Sequence, residues 1–257
     1  MSARAIACFT FDNMAEAADV GAGVAGEPRA DEPSLAIGYP NLYRLLARHD
    51  IRATFFVEGW NGEHHPDAVA EIVGRGHELG MHGWTHETWH TLDPETETRR
   101  AVRATEALER AAGVRPRGFR APGGSRTAAT EGILRRLGYT YDASLGDGST
   151  PGVLPSGLAQ VPFVWPAVDG FYYMRPEPVT PAEVRDGWLA ALAGASERGG
   201  LFLLICHAFL TGLDDDRLAA LDAVMATARG DDRIVVRTVG EIAGDLLAGR
   251  EGVAPCQ

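Results

Sequence analysis

Residues 5–12 read Ala5-Ile6-Ala7-Cys8-Phe9-Thr10-Phe11-Asp12: an apolar run that ends on a carboxylate and is followed at once by Asn13. A strand carrying apolar side chains in nearly every position, rather than in every second one, is covered on both of its faces. Working outward, the chain alternates between such runs and helix-like stretches. Residues 13–37 are rich in Gly, Ala and acid and predict a long loop with one helical turn. Pro40 opens a helix over 40–48, 53–57 is a strand, and 66–74 is a helix stopped by glycine. After a strand at 77–82, Asp93-Pro94 supplies an N-cap and a first-turn proline for a helix running to about residue 112, where Gly113 ends it. Further strands are expected at 118–120, 139–143, 160–164, 201–207 and 233–237, and helices at 128–137, 181–198, 214–229 and 241–247. No repeat, low-complexity tract or linker interrupts the pattern, so residues 1–257 are expected to form a single catalytic domain.

Strand–helix alternation asks for a mainly parallel sheet with helices outside, and 257 residues suit a β/α barrel. The strand ends narrow the choice. Asp12, His82, Arg120, Asp142 and His207 each follow or close a different strand-like run. In a barrel those positions meet at the C-terminal mouth, where active sites lie.

Composition excludes several chemistries. The 24 basic residues against 35 acidic ones leave a formal charge of −11, and every basic residue is arginine. Without lysine there is no Schiff-base nucleophile and no phosphate-binding P-loop. The acidic balance argues against a nucleic-acid partner, and no apolar run approaches the roughly 20 residues of a membrane span. Cys8, Cys206 and Cys256 have no metal-ligand spacing; the first two sit in strand-like runs and are expected as buried thiols. With the first strand beginning at Ala5, no signal leader is expected and the cytoplasm is the expected compartment.

The sharpest local signal is His82-Gly-Trp-Thr-His86, two histidines four apart that would face one way on a helical turn and hold one divalent cation. Asp12-Asn13 is the natural source of a third ligand, one side chain reaching the metal while the other serves a water as general base. Arg120-Ala-Pro-Gly-Gly124 places a guanidinium where it would keep a carboxylate charged and oriented. His207 is either a proton donor to a leaving group or a satisfied core histidine. Trp165-Pro-Ala-Val-Asp169-Gly-Phe-Tyr172-Tyr173 would stack on a substrate ring or cover the pocket, with Asp169 and Tyr172 as contacts. Trp84, with Trp89 and Trp60, would wall the site, while His64-His65 reads as an exposed turn. His77 and His90 read as structural or solvent-facing.

The order of these motifs resembles the polysaccharide deacetylases of the NodB-homology type, a carbohydrate esterase family. Phe9-Thr10-Phe11-Asp12-Asn13 is similar to their T-F-D-D, His82–His86 to H-[ST]-x-x-H with Gly83 in place of Ser or Thr, and Arg120–Gly124 to R-x-P-x-G. Asp142-Ala-Ser144 resembles the fourth motif and Leu204-Ile-Cys-His207 the fifth, L-x-x-H. The resemblance implies a distorted β/α barrel of about seven parallel strands. It also implies Asp12 as general base, Asn13, His82 and His86 as ligands of one divalent metal, zinc first among them, and Arg120 as the group orienting Asp12. Asp142 would set up the His207 side, and His207 would protonate the departing amine. The sequence around His82 and Trp165 resembles the intracellular branch of the family.

One position departs from the family pattern. Its second carboxylate is here Asn13, an amide that brings no charge, so weaker metal binding is expected. Three outcomes stay open: Asn13 ligates, Asp12 moves onto the metal, or no metal binds. The reading is a hydrolase that removes acetyl or formyl from an amino sugar or similar small metabolite. Two alternatives are a metal-free ureide or cyclic-imide hydrolase, allantoinase-like, and a decayed carbohydrate-binding barrel. The partner is a small-molecule or saccharide substrate; the acyl group and the oligomeric state are not legible.

Overall fold

The computed structural model describes residues 4–29, 31–146 and 150–249, so Cys256 lies outside the described residues. Nine strands among them form one curled, mostly parallel sheet: β1 (Ala5–Asp12), β2 (Thr54–Val57), β3 (Glu78–Met81), β4 (Gly118–Phe119), β5 (Tyr141–Asp142), β6 (Gly152–Val153), β7 (Ala159–Gln160), β8 (Leu201–His207) and β9 (Ile234–Val236). The order is β6-β7-β5-β4-β3-β2-β1-β8, and only β6–β7 is antiparallel. β1 pairs with three strands. β8 runs along its whole length from Ile6 to Asp12, while the other edge takes β9 at residues 5–7 and β2 at residues 10–12. Beyond β7 single bridges carry the chain round, Leu145 to Phe163 and Val168 to Ile205, so the barrel is distorted and barely closed.

Alternation along β1 and β8 separates two cores. Ala7, Phe9, Phe11, Leu204 and Cys206 face the helical layer with Leu42, Leu46 and Val224. Ile6, Cys8, Leu203 and Ile205 face the barrel interior with Phe56, Tyr141 and Phe163. The interior face carries on to Asp12 and His207, whose side chains therefore leave the apolar core at its upper rim. Both thiols, Cys8 and Cys206, are free and buried, as the strand reading expects.

The helices are α1 (Ala17–Gly21), α2 (Tyr39–Arg48), α3 (Gly59–His64), α4 (Pro66–Gly74), α5 (Pro94–Ala112), α6 (Thr130–Arg136), α7 (Asp169–Tyr173), α8 (Pro181–Arg198), α9 (Asp215–Gly230) and α10 (Val239–Leu247). The capping expectations hold: Asp93 accepts from the N–H groups of Glu95 and Thr96, and Gly113 turns left-handed at φ 69°. Capping boxes start α8 (Thr180, Glu183) and α10 (Thr238, Glu241). Among the described residues no helix is long and apolar enough to cross a membrane.

Two short helices, α3 and α7, are not legible in the sequence. α3 reads Gly-Trp-Asn-Gly-Glu-His, poor helix-forming material. It exists because its glycines let it lie against α5: a Cβ on Gly59 would meet Ala104 Cα at 2.2 Å, and one on Gly62 would meet the Ala107 carbonyl carbon at 2.6 Å. Tertiary contact overrides propensity here. Gly59→Ala is accordingly expected to destabilise the protein by about 1–3 kcal/mol, read as a lower denaturant midpoint at unchanged slope; an unshifted midpoint would mean the two helices can separate freely.

Candidate functional site

The parallel register delivers the strand-end side chains to one rim. Asp12 pairs with His207 on β8 and with Phe56 on β2, Met81 pairs with Phe119, and Phe119 with Asp142. His82 and Arg120 each stand one residue beyond a paired position. Between them opens a cavity of about 340 Å³ whose polar lining is Asp12, Asn13, His82, His86, Arg120 and His207.

Arg120 is 1% exposed, and a guanidinium that deep needs partners; Nε and Nη1 have them, while Nη2 is buried without one. Its Nη1 donates to Asp12 Oδ1 at 2.6 Å and to Thr10 Oγ1 at 2.8 Å, its Nε donates to the Ala143 carbonyl at 2.9 Å, and its plane lies 4.2 Å over the Phe56 ring. The orienting role expected for Arg120 thus has its geometry: Asp12 is held by one oxygen from within the barrel.

His82 and His86 come together, with ring centroids 5.0 Å apart, but not on the helical turn expected. Gly83 at φ 77° and His86 at φ 59° give an irregular left-handed turn, and Gly83 meets that requirement without a Cβ. The His82 Nδ1 lies 2.8 Å from the Arg120 carbonyl oxygen. A carbonyl only accepts, so Nδ1 carries the hydrogen and Nε2 keeps its lone pair. Burial pulls the His82 pKa down to about 3 against the pull of Asp12. Burial, with His207 next, also lowers that of His86. Both rings are therefore neutral, the form a metal needs. Asn13, at φ 59°, is buried and its Oδ1 has no partner. Two neutral imidazoles and an orphaned amide oxygen fit a divalent cation. Among the described residues no three His, Cys, Asp or Glu side chains cluster as a ligand set.

The His207 side requires a correction. Asp142 does not face His207: it is fully buried beneath the rim, 3.0 Å from Arg126 and accepting from the Ser144 hydroxyl at 2.6 Å. Asp169 takes the place expected of it. Rather than contacting substrate, it accepts from the His207 Nδ1 at 2.5 Å, the His207 backbone N–H at 2.8 Å and the Thr211 hydroxyl at 2.6 Å. Burial alone would lower the His207 pKa; the adjacent Asp169 carboxylate first, with Asp12 and Glu58 behind it, outweighs that, and the net direction is upward. The Trp165 segment delivers this carboxylate because Val168 bridges Ile205, two residues before His207.

The aromatic expectations divide. Trp165 lines the cavity. Trp84 does not; it is buried, with the Arg103 guanidinium 3.8 Å over its ring. Trp89 is buried and donates to Glu97 at 2.9 Å, and Trp60 is buried against His64. Tyr172 turns away and donates to the Pro166 carbonyl, while its neighbour Phe171 enters the cavity with Phe163, Met174 and Phe209. His64 and His65 are not a free turn: His64 ends α3 and His65 Nε2 lies 3.2 Å from Glu16.

The family model described as polysaccharide deacetylase matches residues 6–141. A peptidoglycan deacetylase of Helicobacter pylori is 30% identical over 109 residues, 42% of this chain and 37% of that protein. The chain thus aligns with well under half the length of that curated relative. A crystal structure of a polysaccharide deacetylase homologue from Mycobacterium smegmatis superposes with a TM-score of 0.88 at 30% identity, covering 100% of this chain and 94% of that one. A structure of Puue allantoinase superposes at 0.81 over 96% of this chain and 91% of that one, with 19% identity, a likeness of fold alone.

One rim residue has no motif to announce it. Glu58 directly follows β2 and is fully buried; its Oε2 accepts from the Met14 N–H at 3.0 Å and from Asn61 at 3.1 Å, while its Oε1 and the Asn61 Oδ1 have no partner. Burial pushes its pKa from 4.5 to about 8. A folded-state pKa above the unfolded one means the native protein holds a proton the unfolded chain releases. Stability is then full below about pH 4.5 and declines as pH rises toward 8. Glu58→Gln removes that decline. Its stability relative to the parent should grow from pH 5 to pH 8 by up to ~1.4 kcal/mol per pH unit, followed by urea unfolding across the range; parallel curves would show that Glu58 folds as the anion.

Proposed function

The chain belongs to the polysaccharide deacetylase family, and from that footing we propose that it hydrolyses the C–N bond of an N-acyl group, acetyl or formyl, on a small metabolite. The observation that carries this reading is the pairing of two supported groups across one cavity: Asp12 held by Arg120, and His207 held by Asp169. A binding site has no need of a braced base opposite a braced acid.

Asp12 serves as general base. Its Oδ1 is taken by Arg120, which leaves the other carboxylate oxygen to accept a proton from the attacking water as the water oxygen bonds to the acyl carbon. Arg120 fixes the angle of approach and does not itself exchange a proton. His207, with Nδ1–H on Asp169, gives the proton on its other ring nitrogen to the amine as the C–N bond breaks. Asp169 sets the tautomer and favours the charged ring. The products are a carboxylic acid and an amine, and the proton on Asp12 returns to solvent or to His207. A divalent cation held by His82, His86 and Asn13 would supply Lewis-acid polarisation of the amide carbonyl.

Two predictions follow the two halves of the site. His207 must be protonated to act as acid, so activity is lost as pH rises through its elevated pKa. Asp169→Asn removes the elevating charge: the alkaline limb of the kcat profile should move to lower pH and kcat should fall by roughly 10². An unmoved limb would separate His207 from the proton transfer. On the other side, Asn13→Asp should tighten zinc binding about tenfold or more (~1.4 kcal/mol), measured by titration of metal into the purified protein. Unchanged affinity would take Asn13 out of the ligand set, and amide hydrolysis that survives a chelator would favour the metal-free reading.

A further inference from the structure

Among the described residues, the polar groups lining the cavity are the side chains of Asp12, Asn13, His82, His86, Arg120 and His207, which the reaction uses, and the indole N–H of Trp165; of the guanidinium donors only the Arg120 Nη2 has no protein partner. The rest of the wall offers no hydroxyl, amide or charged side chain. Its large members are Phe163, Trp165, Phe171, Met174 and Phe209. A sugar ring entering such a space would strip water from several hydroxyls and find few partners for them. Each hydroxyl left unpaired lowers affinity by about tenfold or more.

The apolar residues are not evenly placed. Phe209 lies 5.3 Å, centroid to centroid, from the His207 ring. A Cβ on Gly170 would sit 3.3 Å from Met174 Sδ and 3.9 Å from His207 Cε1, so Met174 and His207 border the same spot. Phe171 is held there by the Arg175 guanidinium, 4.2 Å above its ring. Met174 is 66% exposed, Trp165 41% and Phe209 36%. Apolar surface of this extent at the mouth of a cavity gains by being covered. The cavity, about 340 Å³, is at the lower end of small-ligand sites.

Resting on the reading of His207 as the acid that protonates the departing amine, we propose that the site takes N-acyl compounds whose amine half carries an apolar, ring-sized group, seated against Phe171, Met174 and Phe209. The acyl half, on the Asp12 and Arg120 side, is small. Hydrolysis adds water across the amide, releasing the short acid and the apolar amine, with no other reactant.

The test uses the full chain supplied with zinc and three amides: N-acetylglucosamine, N-(2-phenylethyl)acetamide, and its isomer N-ethyl-2-phenylacetamide, in which the ring sits on the acyl half. The expected order is at least a tenfold higher kcat/KM for N-(2-phenylethyl)acetamide than for either other compound, with binding by calorimetry in the same order. Phe171→Ser and Met174→Gln should each raise KM for that amide fivefold or more while circular dichroism stays native. Preference for N-acetylglucosamine, or equal handling of the two isomers, would overturn the proposal. If no amide is cleaved but N-(2-phenylethyl)acetamide still binds best and the two variants weaken it, the apolar site stands and the hydrolase reading falls.

Discussion

A guanidinium buried inside an apolar barrel is tolerable only if the protein offers it acceptors, and Arg120, at the end of a third strand, obtains them from two others. Thr10 and Asp12 belong to β1, the Ala143 carbonyl lies just past β5, and Arg120 itself follows β4. The ring of Phe56 on β2 covers its face. Removing either charge would strand the other in low dielectric, where an uncompensated ion is strongly destabilising. The ion pair is therefore structural and chemical together: it fixes the distance between strands that are otherwise linked at the rim by very short ladders, and it fixes the carboxylate facing the cavity.

The opposite wall repeats the arrangement with different means. His207 ends the long strand β8, and Asp169 comes from α7, brought to it by the single bridge between Val168 and Ile205. Asp169 also accepts from the His207 backbone, from Thr211 and from the Gly170 N–H, so it is itself held firmly where it meets the His207 ring. The two braced groups are positioned independently, one through the barrel interior and one through a loop. Change in the loop can alter the walls that meet a ligand without disturbing Asp12.

What the sequence discloses follows from how local each signal is. The strands announce themselves by apolar runs, α5 by its own N-cap, proline and glycine, and the site by residues at strand ends. Arg120 beside Asp12 could be anticipated because the parallel register converts strand-end position into spatial proximity, and His82 beside His86 because they stand only four positions apart in the chain. Asp142 misled because it too ends a strand, yet it falls on a part of the rim that turns into Arg126 and Ser144. The role of Asp169 was hidden because a one-residue bridge, not a strand, brings it into place. Trp84 reads as a wall by adjacency to His86, but it is buried under the Arg103 guanidinium and does not line the cavity. α3 and Glu58 depend on close helix packing and on burial, neither of which leaves a periodic trace.

Charge balance links the neutral amide of Asn13 to the apolar walls. Asp12 is matched by Arg120, Asp169 by His207, Asp142 by Arg126, and Glu58 is driven toward its neutral form by burial. The rim is thus built of compensated pairs and neutral groups around the cavity, and a second anion at position 13 would upset that balance. Neutral, apolar walls admit little water, and in such surroundings the fields of the two braced pairs act on a bound amide with little screening. A ligand that brought many hydroxyls would bring their hydration too and weaken those fields, whereas one with an apolar flank would displace water and strengthen them. The polarity of the walls, as much as the identity of the six polar groups, defines what chemistry the rim can sustain.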